Sequence, residues 1–142
     1  MTKAHKDYSG TPLWKKLGIR EETRVLFHAA PQGFLASGGS LPAGTTVARR
    51  AGGRLDVVVV FATSRSELER AFARLLPNLD YAGRLWVAWP KKASKVETDI
   101  TFESAQAIGL EAGLVDNKSA SITEVFQGLQ FVYRLRDRPK GP

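Results

Sequence analysis

Eight residues, Leu55-Asp56-Val57-Val58-Val59-Val60-Phe61-Ala62, constrain this chain more than any other stretch. A near-continuous β-branched run has no polar side to offer water. As a strand it must therefore be buried on both faces, as happens in the middle of a parallel sheet. Ser64-Arg65-Ser66-Glu67 follows at once. Serine with a glutamate three residues on, ahead of an apolar run, forms a capping box that satisfies the free N–H groups of a helix start. Leu68, Ala71, Phe72, Leu75 and Leu76 then recur at the i, i+3, i+4, i+7, i+8 spacing of an amphipathic helix, and Pro77 helps to end it. A central strand followed by a covering helix is thus predicted from one window.

The same reasoning extends along the chain. Ser9 to Ile19 predicts a short helix with Thr11 at the N-cap, Pro12 at the first helical position and Gly18 in the left-handed closing position. Its apolar face is Leu13, Trp14 and Leu17. Thr23–His28 reads as a first strand, stopped by Ala29-Ala30-Pro31, and Thr45–Arg49 as a second. Between them, Gly33-Phe34-Leu35 reads as a short helix or turn and Ser37-Gly38-Gly39-Ser40 as a flexible connection. Asp80-Tyr81-Ala82-Gly83 reads as a turn into the strand Arg84–Trp89, which Pro90 ends. A second helix is expected after a cap at Thr98, Asp99 or Thr101, with Phe102, Ala105, Ile108, Gly109 and Ala112 buried and Gly113 closing it. Leu114–Ser119 and Val125–Tyr133 are close enough to pair as an antiparallel hairpin.

Strand, helix, strand, helix and a closing hairpin resemble the second half of the Rossmann-like methyltransferase fold. The expected class is therefore α/β, a shortened three-layer sandwich with a mostly parallel sheet and a C-terminal antiparallel hairpin. Residues 8–134 form its one domain, residues 1–7 a flexible tail and residues 135–142 a basic tail. Right-handed strand–helix–strand units put the strand ends at His28, Ala62 and Trp89 on one edge of the sheet, where open α/β sheets bind ligands.

The net charge of +7 raises the question of a nucleic-acid partner. Lys3, Lys6, Arg136, Arg138 and Lys140 stand against Asp7 and Asp137 in the two tails, so much of the excess lies outside the domain. The rest is spread over Lys15 and Lys16, Arg49 and Arg50, and Lys91 and Lys92, with no basic helix. Nucleic-acid binding is accordingly the third reading. With no cysteine, the chain has no disulfide, thiol nucleophile or cysteine-ligated metal. No apolar stretch approaches the roughly 18 residues of a membrane span, and the start MTKAHKDYSG is polar, so a cytoplasmic protein is expected.

Nucleotide cofactors of this fold need a glycine-rich turn after the first strand and an acid after the second. Here the turn is His28-Ala29-Ala30-Pro31-Gln32-Gly33, and the second strand ends in Arg49-Arg50. No cofactor is therefore expected. Trp89-Pro90-Lys91-Lys92-Ala93-Ser94-Lys95 combines an aromatic ring, a rigid stop and three ammonium groups at the ligand edge. Trp89, Lys91, Lys92 and Ser94, with Arg65 from the neighbouring strand end and His28 from the first, form the candidate binding set for a small anion. No paired carboxylates, Ser-His-Asp set or metal cluster can be assembled, and Asp99 reads as a helix cap.

YSGTPLWKKLGI, Ala30-Pro31-Gln32-Gly33-Phe34, DVVVVF, GRLWVAWPKKAS, TDIT and GLVDNKSASITEVFQGLQFV together resemble a bacterial family designated domain of unknown function 3052. The resemblance implies a small methyltransferase-like fold and assigns no catalytic residues. The leading expectation is a non-catalytic binding or regulatory domain for a small anion or a protein partner. An S-adenosylmethionine-dependent methyltransferase with a degenerate cofactor turn is the alternative. The closing hairpin also leaves an edge strand open to pairing with a second copy.

Overall fold

Six strands, β1 (Arg24–His28), β2 (Thr46–Ala48), β3 (Leu55–Phe61), β4 (Leu79–Pro90), β5 (Leu114–Ser121) and β6 (Phe126–Tyr133), form one sheet in the order β2-β1-β3-β4-β6-β5. β2, β1, β3 and β4 are parallel, and β6 runs antiparallel to both β4 and β5. The computed structural model describes residues 11–138; the expected tail at 1–7, Ser9 and Gly10 of the first helix, and 139–142 lie outside the described residues. Leu135–Asp137 form a 3-10 turn, after which Arg138 Nε donates to the Tyr133 carbonyl at 3.2 Å.

β3 is buried on both faces, as its composition requires: Val57, Val59 and Phe61 enter one apolar cluster, and Leu55, Val58 and Val60 the other. Two helices of ordinary length, α3 (Arg65–Leu75) and α4 (Phe102–Glu111), cover the second of these faces. Ser64 Oγ accepts the Glu67 N–H at 3.2 Å, while Glu67 reaches back to the Thr63 N–H at 3.4 Å, one residue before the expected partner. Thr101 and Ser104 close a reciprocal capping box on α4. Asp99 is also a cap, but of α3: its Oδ1 accepts the Arg65 N–H at 2.7 Å. Phe102, expected in the buried face of α4, is 42% exposed, and Ala112 is exposed as well. Ala105 and Gly109 carry the contact, with Gly109 pressed against the Phe131 ring.

The opposite face is covered by α1 (Leu13–Leu17) and α2 (Phe34–Ser37). A five-residue helix is far below the length that is stable alone, so tertiary contacts must hold α1. Gly18, at φ 83, closes it with Gly18 N–H to Lys15 O at 3.0 Å and Ile19 N–H to Trp14 O at 2.9 Å. The last two carbonyls take donors from the sheet: Lys118 Nζ to Lys16 O at 3.0 Å and Trp86 Nε1 to Leu17 O at 2.9 Å. Every C-terminal carbonyl of the helix is thereby satisfied. At its start Pro12, not Thr11, is the N-cap, and no side chain bonds there.

Two further expectations change. Asp80–Gly83 is not a turn but a bulge inside β4, taken up where the pairing steps from Leu55↔Leu79 to Val57↔Arg84. Gly83 is needed there because a Cβ would come within 2.7 Å of the Asp56 carbonyl. Ser37–Ser40 is also tied down: Trp14 Nε1 donates to Gly39 O at 3.1 Å, and the Trp14 ring lies against Gly38. At the far edge, the β5–β6 pairing shifts between Asp116 and Lys118, an irregularity of the kind that blunts an edge strand.

Candidate functional site

Parallel pairing sets the carboxyl ends of β1, β3 and β4 side by side, with His28 beside Val60 and Phe61 beside Ala88. β6 returns antiparallel, pairing Phe126 with Pro90, which brings the hairpin tip to the same edge. Among the described residues three hollows open there, and two of them flank the turn between β1 and α2.

The turn itself explains the division. Ala29, at φ 57, and Gly33, at φ 83, are both in the left-handed region and bracket Pro31. On one side lies a hollow of about 500 Å³ between α1, Pro31–Phe34 and the hairpin tip, within the range of ligand pockets. Leu13, Phe34, Ile122 and Phe126 supply apolar lining, while Lys16, Gln32 and Glu124 bring polar groups. Gly33 is among the lining residues, and apart from its chain neighbours no described atom lies within 4 Å of where a Cβ on it would stand. Lys16 Nζ donates to Ser121 O at 3.1 Å, tying α1 to the hairpin tip.

On the other side is a crevice of about 370 Å³ lined by His28, Ala29, Phe61, Glu67, Arg70 and Arg74. Arg74 Nη2 lies 3.0 Å from His28 Nδ1. Guanidinium only donates, so Nδ1 accepts and the ring proton is on Nε2. Burial, and secondarily the Arg74 charge, hold His28 below the ordinary imidazole range. Hydrogen bonds from the Thr63 N–H and the Ser64 side chain hold the Glu67 carboxyl below the usual carboxylate range.

The candidate set from the sequence does not meet in one cleft. His28 lines the crevice, whereas Trp89 and Lys92 line a third hollow of about 550 Å³ together with Thr98, Ile100 and Phe102. Trp89 is 3% exposed and packed in the core, so its ring is not an open platform. Lys91 Nζ donates to Ser121 Oγ at 2.7 Å, which ties the strand end to the hairpin tip. Ser94 Oγ folds back onto the Lys91 carbonyl at 2.7 Å, and Arg65 meets Asp99 through its backbone. Sequence reasoning missed Arg70 and Arg74 beside His28, and it missed the hollow at Gly33. The four-residue spacing of the arginines is visible in sequence, but which helix face meets His28 is not. Among the described residues there is no cluster of three or more metal-ligating side chains, and no helix is long and apolar enough to cross a membrane.

A parallel sheet wound from its middle, closed by an antiparallel hairpin and hollowed at its carboxyl edge, defines the Rossmann-like methyltransferase fold. Known structures agree. Magnesium protoporphyrin IX methyltransferase from Synechocystis PCC 6803 with bound S-adenosylmethionine superposes with a TM-score of 0.58 at 12% identity, over 86% of this chain and 74% of that one. Ribosomal protein L11 methylase from Lactobacillus delbrueckii subsp. bulgaricus gives 0.57 at 11% identity, over 80% of this chain and 71% of that one. LepI in complex with S-adenosylmethionine gives 0.54 at 12%, over 94% of this chain and 50% of that one. At these identities the likeness establishes the fold. No protein-family model matches the chain, and no curated protein does, so the resemblance to the family of unknown function gains no support there.

The likeness corrects the leading expectation. The fold is shared with methyltransferases, some holding S-adenosylmethionine or S-adenosylhomocysteine, which favours the methyltransferase reading over a non-catalytic binding or regulatory domain. The glycine pattern after the first strand is missing. The backbone reversal that such a pattern serves is nevertheless made by Ala29 and Gly33.

Proposed function

We propose that this chain is an S-adenosylmethionine-dependent methyltransferase of contracted form, holding the methyl donor in the hollow between α1, the β1–α2 turn and the hairpin tip. The observation that carries the reading is Gly33: a left-handed residue in the turn after the first strand, lining a hollow at the ligand edge. The lining suits the donor. Leu13, Phe34, Ile122 and Phe126 offer apolar surface to the base, Glu124 a carboxylate to the ribose hydroxyls, and Lys16 a cation to the donor's carboxylate. The acid that the fold usually places after the second strand is absent, since β2 ends at Ala48 and Arg49-Arg50 follow, and the hairpin tip provides one instead. Three of the segments that carry the family resemblance, around Thr11–Lys16, Pro31–Phe34 and Ile122–Phe126, converge on this hollow.

When bound, the donor would supply an electrophilic methyl on sulfur to the acceptor's lone pair, leaving S-adenosylhomocysteine and releasing the acceptor's proton to bulk solvent. The chain's own contribution is to bind, to orient and to exclude water. Isothermal calorimetry tests the reading directly. Micromolar binding of S-adenosylhomocysteine is expected, weakened at least tenfold in Gly33→Ala, which adds a methyl to a lining residue and strains its left-handed backbone. That substitution costs the fold about 1–2 kcal/mol for a left-handed alanine, which thermal melting reads separately. Undetectable binding of both S-adenosylmethionine and S-adenosylhomocysteine at millimolar concentration would retire the reading.

A further inference from the structure

We propose that the crevice between the end of β1 and α3 seats an oxyanion of the methyl acceptor, which makes the acceptor a small molecule bearing a phosphate or carboxylate. The assignment rests on the methyltransferase reading, with donor and acceptor on opposite sides of the β1–α2 turn.

The place is the topological switch point of the sheet. β1 connects outward to β2 on one side and β3 to β4 on the other, so their carboxyl ends part and leave a crevice. Two arginine side chains line it from one face of α3. Arg70 and Arg74 stand four residues apart, a like-charge spacing that works against the helix carrying it. Neither is ion-paired with a carboxylate among the described residues. Glu67, the acid in the lining, turns Oε1 to Thr63 and Ser64. Arg74 therefore rests on a neutral His28 through Nδ1, 3.0 Å away. Two arginines without a carboxylate partner among the described residues, one of them resting on a neutral imidazole, suit an oxyanion. Arginine's fork matches the spacing of phosphate or carboxylate oxygens, and an arriving oxyanion favours a protonated His28 as a further donor.

Inorganic pyrophosphate and succinate separate the two sources of oxyanion. Each is titrated into the full chain and into Arg70→Gln/Arg74→Gln, following the His28 ring resonances by NMR, with S-adenosylhomocysteine titrated in parallel by calorimetry. Both arginines are exposed, so the double variant is expected to fold, with a melting temperature within a few degrees of wild type. The expected result is saturable binding of at least one anion with an upward shift of the His28 titration. In the double variant anion binding is at least tenfold weaker while S-adenosylhomocysteine binding is unchanged. Preference for pyrophosphate assigns a phosphorylated acceptor, and preference for succinate a carboxylate. Equal anion binding in both proteins, or none at millimolar concentration, overturns the site. If the anion binds but S-adenosylhomocysteine does not, the site stands and its occupant is not an acceptor, which overturns the assignment through the failure of the methyltransferase reading. Salt-steep binding of a single-stranded oligonucleotide, abolished by the same substitutions, overturns the small-molecule class.

Discussion

The two faces of the sheet are covered by different means. On one, α3 and α4 run 11 and 10 residues, each with a serine or threonine cap of its own. On the other, α1 and α2 run five and four residues and have no side-chain cap at their starts. The long helices bring their own end-group satisfaction and need the sheet only for burial. The short ones borrow it: Trp86 and Lys118 reach out of the sheet to finish α1. Short helices also cover less of the sheet's edge. The hollow at Gly33 lies under the thin layer, so economy of cover and room for a ligand have the same origin.

The comparison breaks first at Trp14. Its ring packs on Phe27 and Phe34 at 5.8 Å between centroids, and its Nε1 donates to Gly39 O. Truncation to alanine is expected to cost about 3–5 kcal/mol in urea unfolding, as much as Phe131→Ala on the thick face. A cost below ~1 kcal/mol would show that the thin layer is only a lid.

Gly109→Ala asks the reverse question of the thick face. Helix propensity alone gains up to ~1 kcal/mol, but the new methyl meets the Phe131 ring, and overpacking costs about 1–3 kcal/mol. Net destabilisation is expected. A neutral or stabilised protein would mean that α4 lifts freely from the sheet and that this layer is the looser one.

The smallest effect concerns pH at the boundary between the layers. His28 titrates below its ordinary value of 6.5 in the folded chain, so between the two values the unfolded state binds more protons. The stabilisation from neutral His28 is complete above about pH 6.5 and is lost as pH falls through the folded value. Burial is the larger cause and Arg74 the lesser, so Arg74→Gln is expected to move the His28 titration part of the way upward. An unmoved NMR titration would show that the guanidinium does not act on the ring.

Much of the fold was legible because its signals are short-range. The β3 run, the Ser64 cap and the closing glycine Gly18 each depend on residues a few positions away, and each appears where local chemistry puts it. The candidate site was less legible. His28 was singled out for its place at a strand end, but its partner comes from the residue 46 positions on. The lysine-rich stretch looked like one site because its residues are adjacent in sequence. In space Lys91 turns to the hairpin tip, Trp89 into the core and Lys92 to a separate hollow.

From the residues alone come the α/β class, the doubly buried central strand, the capped helix behind it and the absence of the usual glycine pattern after the first strand. These follow from periodicity and capping, whose reach is a turn or two of chain. Tertiary structure alone decided that Asp99 caps a helix 34 residues earlier, that Asp80–Gly83 bulges inside a strand, and that a plain turn at Ala29–Gly33 parts two hollows. Each depends on the register in which distant segments meet. That register is set by burial over the whole sheet and is written in no single window of the sequence.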